Sequence, residues 1–309
     1  MKFCSIDKDM YERYGDAADE LDALRPYGEF VNGKANATDE EKVALAKDSE
    51  VVIFGSAYLK NEIIAQLDRL KIVQFMGTGV ANYVDIDYCR RRGIKVLNVE
   101  GYGSNAVAEF ALGMIFASLR NIPLSDARMK SGRWSYEGLE GRELSGSVVG
   151  VVGTGRIGSL LAQKLHALGA KKILAFDKVQ KQELIENFGV EYTTLETLFS
   201  SSDIVTIHLT YDEETDKMIG GALIDRMGPD SFLINTARAE IVDYAALEKA
   251  LEAGRIRGAA VDVYYKEPVE DYSFCRHDNL ISTTHLGFFT KNSKRNLLRC
   301  AVRSIIENI

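Results

Sequence analysis

Arg238, Glu267 and His285 are the residues whose types together could do chemistry. Each follows an apolar run: Arg238 follows SFLINTA (231–237), Glu267 follows GAAVDVY (258–264), and His285 follows NLIST (279–283). If these runs are strands of one parallel sheet, an arginine, a glutamate and a histidine reach one rim. That rim is the carboxyl edge, where such sheets bind ligands. The set suits hydride transfer to a 2-keto acid. Histidine can give a proton to the developing alkoxide near neutral pH. A neighbouring glutamate orients the imidazole and favours its charged form. Arginine can hold a carboxylate through two parallel hydrogen bonds and polarise the adjacent carbonyl. Taken singly, each has an ordinary explanation: a core histidine, a surface ion pair, a turn residue before Pro268. Their convergence on a sheet that also carries a nucleotide signature singles them out.

That signature is SVVGVVGTGRIGSLLAQKLHALGAKKILAFD, residues 147–177. A strand over 148–152 runs into Gly153, Gly155 and Gly158, spaced G-x-G-x-x-G. Ile157, Leu160, Leu161, Leu165 and Leu168 then repeat at helical spacing, and a second strand over 173–176 ends in Asp177. Gly153 permits the tight turn, Gly155 lets a pyrophosphate approach the backbone, and Gly158 lets the helix pack on the strand. The helix N-terminus offers free N–H groups and the positive end of its dipole. Asp177 can accept from a ribose diol and would repel a 2′-phosphate, which favours NAD over NADP.

The elements that must position these residues alternate in type. Strands are expected at 2–6, 51–54, 72–76 and 95–99, with helices between them, such as 39–47, 59–67 and 84–92. This is a small parallel α/β unit of flavodoxin-like kind. AVAEFALGMIFASL (106–119) is apolar on most faces and should be buried, in a domain crossing or a subunit interface. Residues 120–146 are polar and hold the only tryptophan. Six strands between 148 and 283 then predict a doubly wound parallel sheet, the Rossmann fold. Residues 102–287 are placed in an NAD-binding domain, and 1–101 plus 288–309 in a smaller substrate-binding domain.

At 309 residues the chain is long for one core. A net charge of −7 argues against a dedicated nucleic-acid binder. Cys4, Cys89, Cys275 and Cys300 form no C-x-x-C pair, so neither a disulfide framework nor a metal site is expected. The start of the chain lacks a signal-peptide apolar region and no run reaches membrane-spanning length, so a cytoplasmic location without membrane attachment is expected.

The chain resembles the D-isomer-specific 2-hydroxyacid dehydrogenases from about Val51 onward. GTGVANYVDID, GIKVLNVEG, NAVAEFAL, GTGRIG, SDIVTIHL, INTARAEIVD, GAAVDVYYKEP and TTHLGF carry the resemblance. It implies that Arg238, Glu267 and His285 are the catalytic set. It implies cofactor contacts at Arg156, Ile157, Asp177, His208, Thr210, Thr236, Ala237, Asp262 and Gly287, with Asp262 meeting the nicotinamide carboxamide. It implies that the turn Gly77, Thr78, Gly79, Val80 binds the substrate carboxylate through backbone N–H groups, near Tyr58. A homodimer through the cofactor domain is also implied. The chain departs from the family pattern at Ala239 and Glu240, at Thr210 and Thr284, and at Phe288 and Phe289 after HLG. The two rings either narrow the pocket or pack between the domains.

The strip FGSAYLK (54–60) offers Tyr58, with Lys60 only at its end, and an added C-terminal regulatory domain is not expected. An unphosphorylated 2-oxo acid is therefore expected, such as pyruvate, hydroxypyruvate, glyoxylate or a branched-chain analogue, acting in the direction of reduction. The alternative is an NAD(H)-sensing, corepressor-like scaffold with little turnover. A methyltransferase would not need Arg238, Glu267 and His285 together.

Overall fold

Runs such as VVIF at 51–54 and VVGVV at 148–152 are apolar nearly throughout and become strands covered on both faces, as parallel sheets require. The computed structural model describes residues 1–55 and 58–309. It divides into two units, Met1–Gly103 with Phe289–Ile309, and Ser104–Phe288.

The first unit holds β1 (Lys2–Ser5), β2 (Glu29–Val31), β3 (Val51–Phe54), β4 (Ile72–Phe75) and β5 (Lys95–Leu97), all parallel, in the order β2-β1-β3-β4-β5. Successive side chains face opposite layers. Phe3, Val51, Ile53 and Ile72 pack into one cluster, and Cys4, Val52, Phe54 and Val73 into the other. The helix Lys291–Ile306 joins the first cluster through Leu297, Leu298, Ala301, Val302 and Ile305, a single apolar stripe at helical spacing.

The second unit holds β6 (Val148–Val152), β7 (Lys172–Phe176), β8 (Val190–Tyr192), β9 (Ile204–Ile207), β10 (Phe232–Asn235), β11 (Gly258–Val261) and β12 (Leu280–Ser282). Their order, β12-β11-β10-β9-β6-β7-β8, is doubly wound, with the reversal at β6. The sheet therefore has seven strands rather than the six expected from sequence. β8 escaped notice because it is a three-residue edge strand with only Val190 buried, too short for a periodic pattern. β2 was missed for the same reason. The helix Ser104–Leu119 packs across Arg156–Ala167 on one face of this sheet. A further helix, Ile122–Lys130, lies in the polar stretch 120–146, and it buries none of its residues. Among the described residues, no single helix is long and apolar enough to cross a membrane.

Candidate active site

The glycine turn leaves β6 at Gly153, whose φ of +93° suits a residue without a β-carbon. A β-carbon on Gly158 would stand 1.9 Å from the Gly153 carbonyl oxygen, so only glycine allows this helix its distance from the strand. A β-carbon on Gly155 would meet nothing within 4 Å. The space in front of Gly155 is thus open, as a pyrophosphate needs. The helix Arg156–Ala167 starts there with no side chain capping its first N–H groups, which leaves Arg156 and Ile157 to present theirs to an anion.

Asp177 follows β7. Its Oδ2 accepts the Thr154 N–H at 2.6 Å and the Thr154 hydroxyl at 3.2 Å, and its Oδ1 accepts the Val179 N–H at 3.1 Å. The carboxylate thereby locks the turn between the first two glycines. Beside it opens a cavity of about 490 Å³ lined by Phe176, Gln180, Tyr192, Thr193 and Leu195. That volume is within the range of small-ligand pockets and suits a nucleoside. Tyr192, Thr193 and Leu195 carry no sequence signal of their own; the fold brings them there.

Two buried polar atoms at neighbouring strand ends, Thr236 Oγ1 and His208 Nδ1, have no partner in the protein. Unpartnered buried groups are rare enough to ask for a ligand. The His208 ring faces inward, with Nε2 at 2.8 Å from the Thr206 hydroxyl. Burial drives its pKa down to about 3, so it is a neutral imidazole and no proton donor. Its backbone stands against Gly153, where a β-carbon would come within 2.8 Å. Thr210 is exposed at the end of the same segment. The residues of this edge fit a dinucleotide: Gly155, Arg156 and Ile157 for its phosphates, Asp177 for a ribose, Thr236 and Ala237 further along.

His285 Nδ1 lies 2.7 Å from Glu267 Oε2. Glu267 Oε1 accepts the Tyr264 N–H at 2.9 Å. Burial pushes the Glu267 carboxyl up, but the bond and charge of His285, the Tyr264 N–H and the charge of Arg238 outweigh it and hold the group below the usual carboxylate range. An ionised carboxylate only accepts, so Nδ1 is the donor and Nε2 is left to exchange a proton. Arg238 is exposed just beyond β10, and it donates to the Ala237 carbonyl at 2.7 Å. The Phe288 ring stands edge-on to His285 at 5.9 Å between centroids.

Buried residues behind this set hold it, and two of them, Asn235 and Tyr244, carry no signal in the sequence. Asn235 accepts the Ala237 N–H at 3.0 Å and donates to the Arg238 carbonyl at 3.0 Å and to the Tyr244 hydroxyl at 3.2 Å. Tyr244 in turn donates to the Val263 carbonyl at 2.9 Å. Asp262 is 1% exposed. It accepts from the Thr283 hydroxyl at 2.6 Å and from the Leu286 and Gly287 N–H groups at 2.8 Å each. The residue expected to meet the carboxamide therefore spends these bonds on the loop that carries His285, whose φ is +55°.

In the first unit, Gly77–Val80 follows β4. Val99 donates to the Gly77 carbonyl at 2.9 Å and Asn98 to the Thr78 carbonyl at 2.9 Å. The Val80 N–H closes on the Thr78 carbonyl at 3.1 Å, so the turn itself uses one N–H expected to face a carboxylate. Tyr58 is half exposed. Residues 56 and 57 of the 54–60 strip lie outside the described residues.

A family model described as D-isomer specific 2-hydroxyacid dehydrogenase, NAD binding domain, matches residues 112–287. D-3-phosphoglycerate dehydrogenase of Archaeoglobus fulgidus is 34% identical over 279 residues, 90% of this chain and 53% of that protein. The chain spans about half the length of the curated relatives it matches. The apo-structure of D-lactate dehydrogenase from Escherichia coli has a TM-score of 0.85 at 28% identity, covering 100% of this chain and 97% of that one. D-lactate dehydrogenase from Aquifex aeolicus, complexed with NAD and lactic acid, has a TM-score of 0.82 at 26% identity, covering 100% and 95%. The doubly wound sheet with its glycine turn is thus matched by a family model over more than half of the chain, and this protein belongs to the D-isomer specific 2-hydroxyacid dehydrogenase family, with NAD as the cofactor of its binding domain.

Proposed function

We propose that this protein reduces a small 2-oxo acid to its D-2-hydroxy acid. The observation that carries this is the His285–Glu267 bond of 2.7 Å beside Arg238. Bound NADH supplies the hydride. His285 gives the proton on Nε2 to the carbonyl oxygen as that oxygen takes up charge. Glu267 fixes the ring through Nδ1 and stabilises the imidazolium before transfer. Arg238 binds the substrate carboxylate and polarises the carbonyl with its planar fork. The similarity to phosphoglycerate and lactate dehydrogenases supports the reaction class.

The test is loss of NADH absorbance with a panel of 2-oxo acids, wild type beside His285→Ala. Turnover that the variant loses by about a hundredfold or more supports the assignment. NADH binding without turnover on any oxo acid would favour the sensing scaffold instead.

We also infer a homodimer. Trp134 is 83% and Tyr136 85% exposed, beside Ile122 and Met129 on a helix that buries nothing. Large exposed apolar groups of this kind mark association surfaces. Light scattering on wild type and Trp134→Glu would read it: a monomer in both would sink the idea.

A further inference from the structure

The five-stranded sheet reverses its order between β1 and β3. At such a switch point a crevice opens at the carboxyl edge, where open α/β sheets bind ligands. The Lys8 ammonium lies over this point. A β-carbon on Gly55, the residue after β3, would stand 3.6 Å from Lys8 Nζ and 2.9 Å from the Met76 β-carbon, at the end of β4. Lys8 follows β1 by three residues.

Other cations gather nearby. Arg13 is close enough for its charge to act on Lys8. Arg13 and Lys294 both stand over the Phe289 ring, at 5.7 and 5.3 Å from its centroid, and Lys294 donates to the Arg13 carbonyl at 3.3 Å. Lys294 lies in the first turn of the helix Lys291–Ile306, which has no acid there to balance the positive end of the dipole. Among the described residues, neither Lys8, Arg13 nor Lys294 forms a salt bridge. Asp7 offsets part of the Lys8 charge, and it accepts the Gly55 N–H at 2.9 Å. Burial and Arg13 nonetheless hold the Lys8 amine below its ordinary pKa, a cost that a bound anion would remove.

We propose that Lys8, flanked by Arg13, binds an oxyanion, a carboxylate or phosphate group, at the β1/β3 edge of the smaller sheet. The sequence hid this site. Lys60, the cation at the end of the 54–60 strip, pairs with Asp39 at 2.6 Å, while Lys8 and Lys294 stand at opposite ends of the chain. One source is an anionic group on the substrate's own side chain, and that arm rests on the oxo-acid reading above. The other is a free anion.

Two measurements separate them. The first compares kcat/KM for oxaloacetate, which bears a side-chain carboxylate, with kcat/KM for 2-oxobutyrate, which does not. The second titrates inorganic phosphate by calorimetry without any turnover. Both are run on wild type, Lys8→Met and Lys8→Arg, with thermal unfolding as the check on folding. A substrate anion predicts that the kcat/KM ratio falls about tenfold or more in Lys8→Met and is retained in Lys8→Arg. A free anion predicts phosphate binding that Lys8→Met abolishes while the ratio stays put. If neither the ratio nor phosphate binding responds to Lys8→Met, the site is overturned. If no oxo acid turns over, the reductase assignment falls by itself, and the calorimetry still decides the anion site.

Discussion

The side-chain amide of Asn235, sealed inside β10, donates to the backbone carbonyl of Arg238 at 3.0 Å, while its oxygen accepts the Ala237 N–H at the same distance. Asn235 thus sets where the Arg238 backbone leaves the strand. Through Tyr244 it also joins that loop to Val263, two residues past β11 and four before the catalytic candidate Glu267. Replacing Asn235 by Ala orphans the Ala237 N–H, the Arg238 carbonyl and a bond of Tyr244. A loss of about 1–3 kcal/mol in stability is expected, with a rise in KM for the oxo acid. Denaturant unfolding and steady-state kinetics read both. A lower Tm with unaltered KM would confine Asn235 to a structural role.

Glycine positions separate packing from binding. Gly155→Ala should fold with nearly unchanged stability, because its β-carbon meets open space, yet lose NADH affinity about tenfold or more as the methyl fills the phosphate approach. Gly158→Ala should cost stability itself, because the Gly153 carbonyl must move. Calorimetric NADH titrations beside thermal melts would distinguish them. Equal melts for the two variants would count against this division.

Asp177 serves two masters. Asp177→Asn keeps an oxygen for the Thr154 N–H but removes the charge that repels a 2′-phosphate. The NADH-over-NADPH ratio of kcat/KM should drop about tenfold while the melting temperature changes little. Asp177→Ala should lower both, since Thr154 is fully buried.

The pH dependence of the His285–Glu267 pair follows from the sign of one shift. Glu267 sits below its ordinary 4.5 in the folded protein. Its contribution to stability is therefore complete above that value and is lost as pH falls through the folded one. The gap in melting temperature between wild type and Glu267→Gln should be steady from about pH 7 to about pH 5 and close below about pH 4. About a third of the side chain is exposed, so the gap should be small. Melting temperatures that superimpose at every pH would sink this reading.

Much of this molecule can be read along the chain, for a physical reason. The glycine turn is local: strand, turn, helix and acid lie within residues 148–177, and each is demanded by its near neighbours. The central strands are apolar on both faces and declare themselves by composition, as VVIF and VVGVV do. Arg238, Glu267 and His285 could be named because each lies within six residues of the end of a strand. Only tertiary structure decided the rest. Edge strands β2 and β8 are three residues long and half exposed, so no periodicity marks them. His208, a residue type associated with catalysis, is disarmed by burial, which its neighbours in sequence do not reveal. Asn235 looks like an ordinary polar residue within an apolar run, yet it holds the turn that carries Arg238; Asp262, expected to meet the carboxamide, spends bonds on a loop more than twenty positions away. Arg13 and Lys294 meet over Phe289 only because the helix Lys291–Ile306 packs on the segment Gly15–Tyr27. Local sequence determines which elements form and where a backbone must turn; burial and partnership between distant segments decide which side chains are charged, held and open to a ligand.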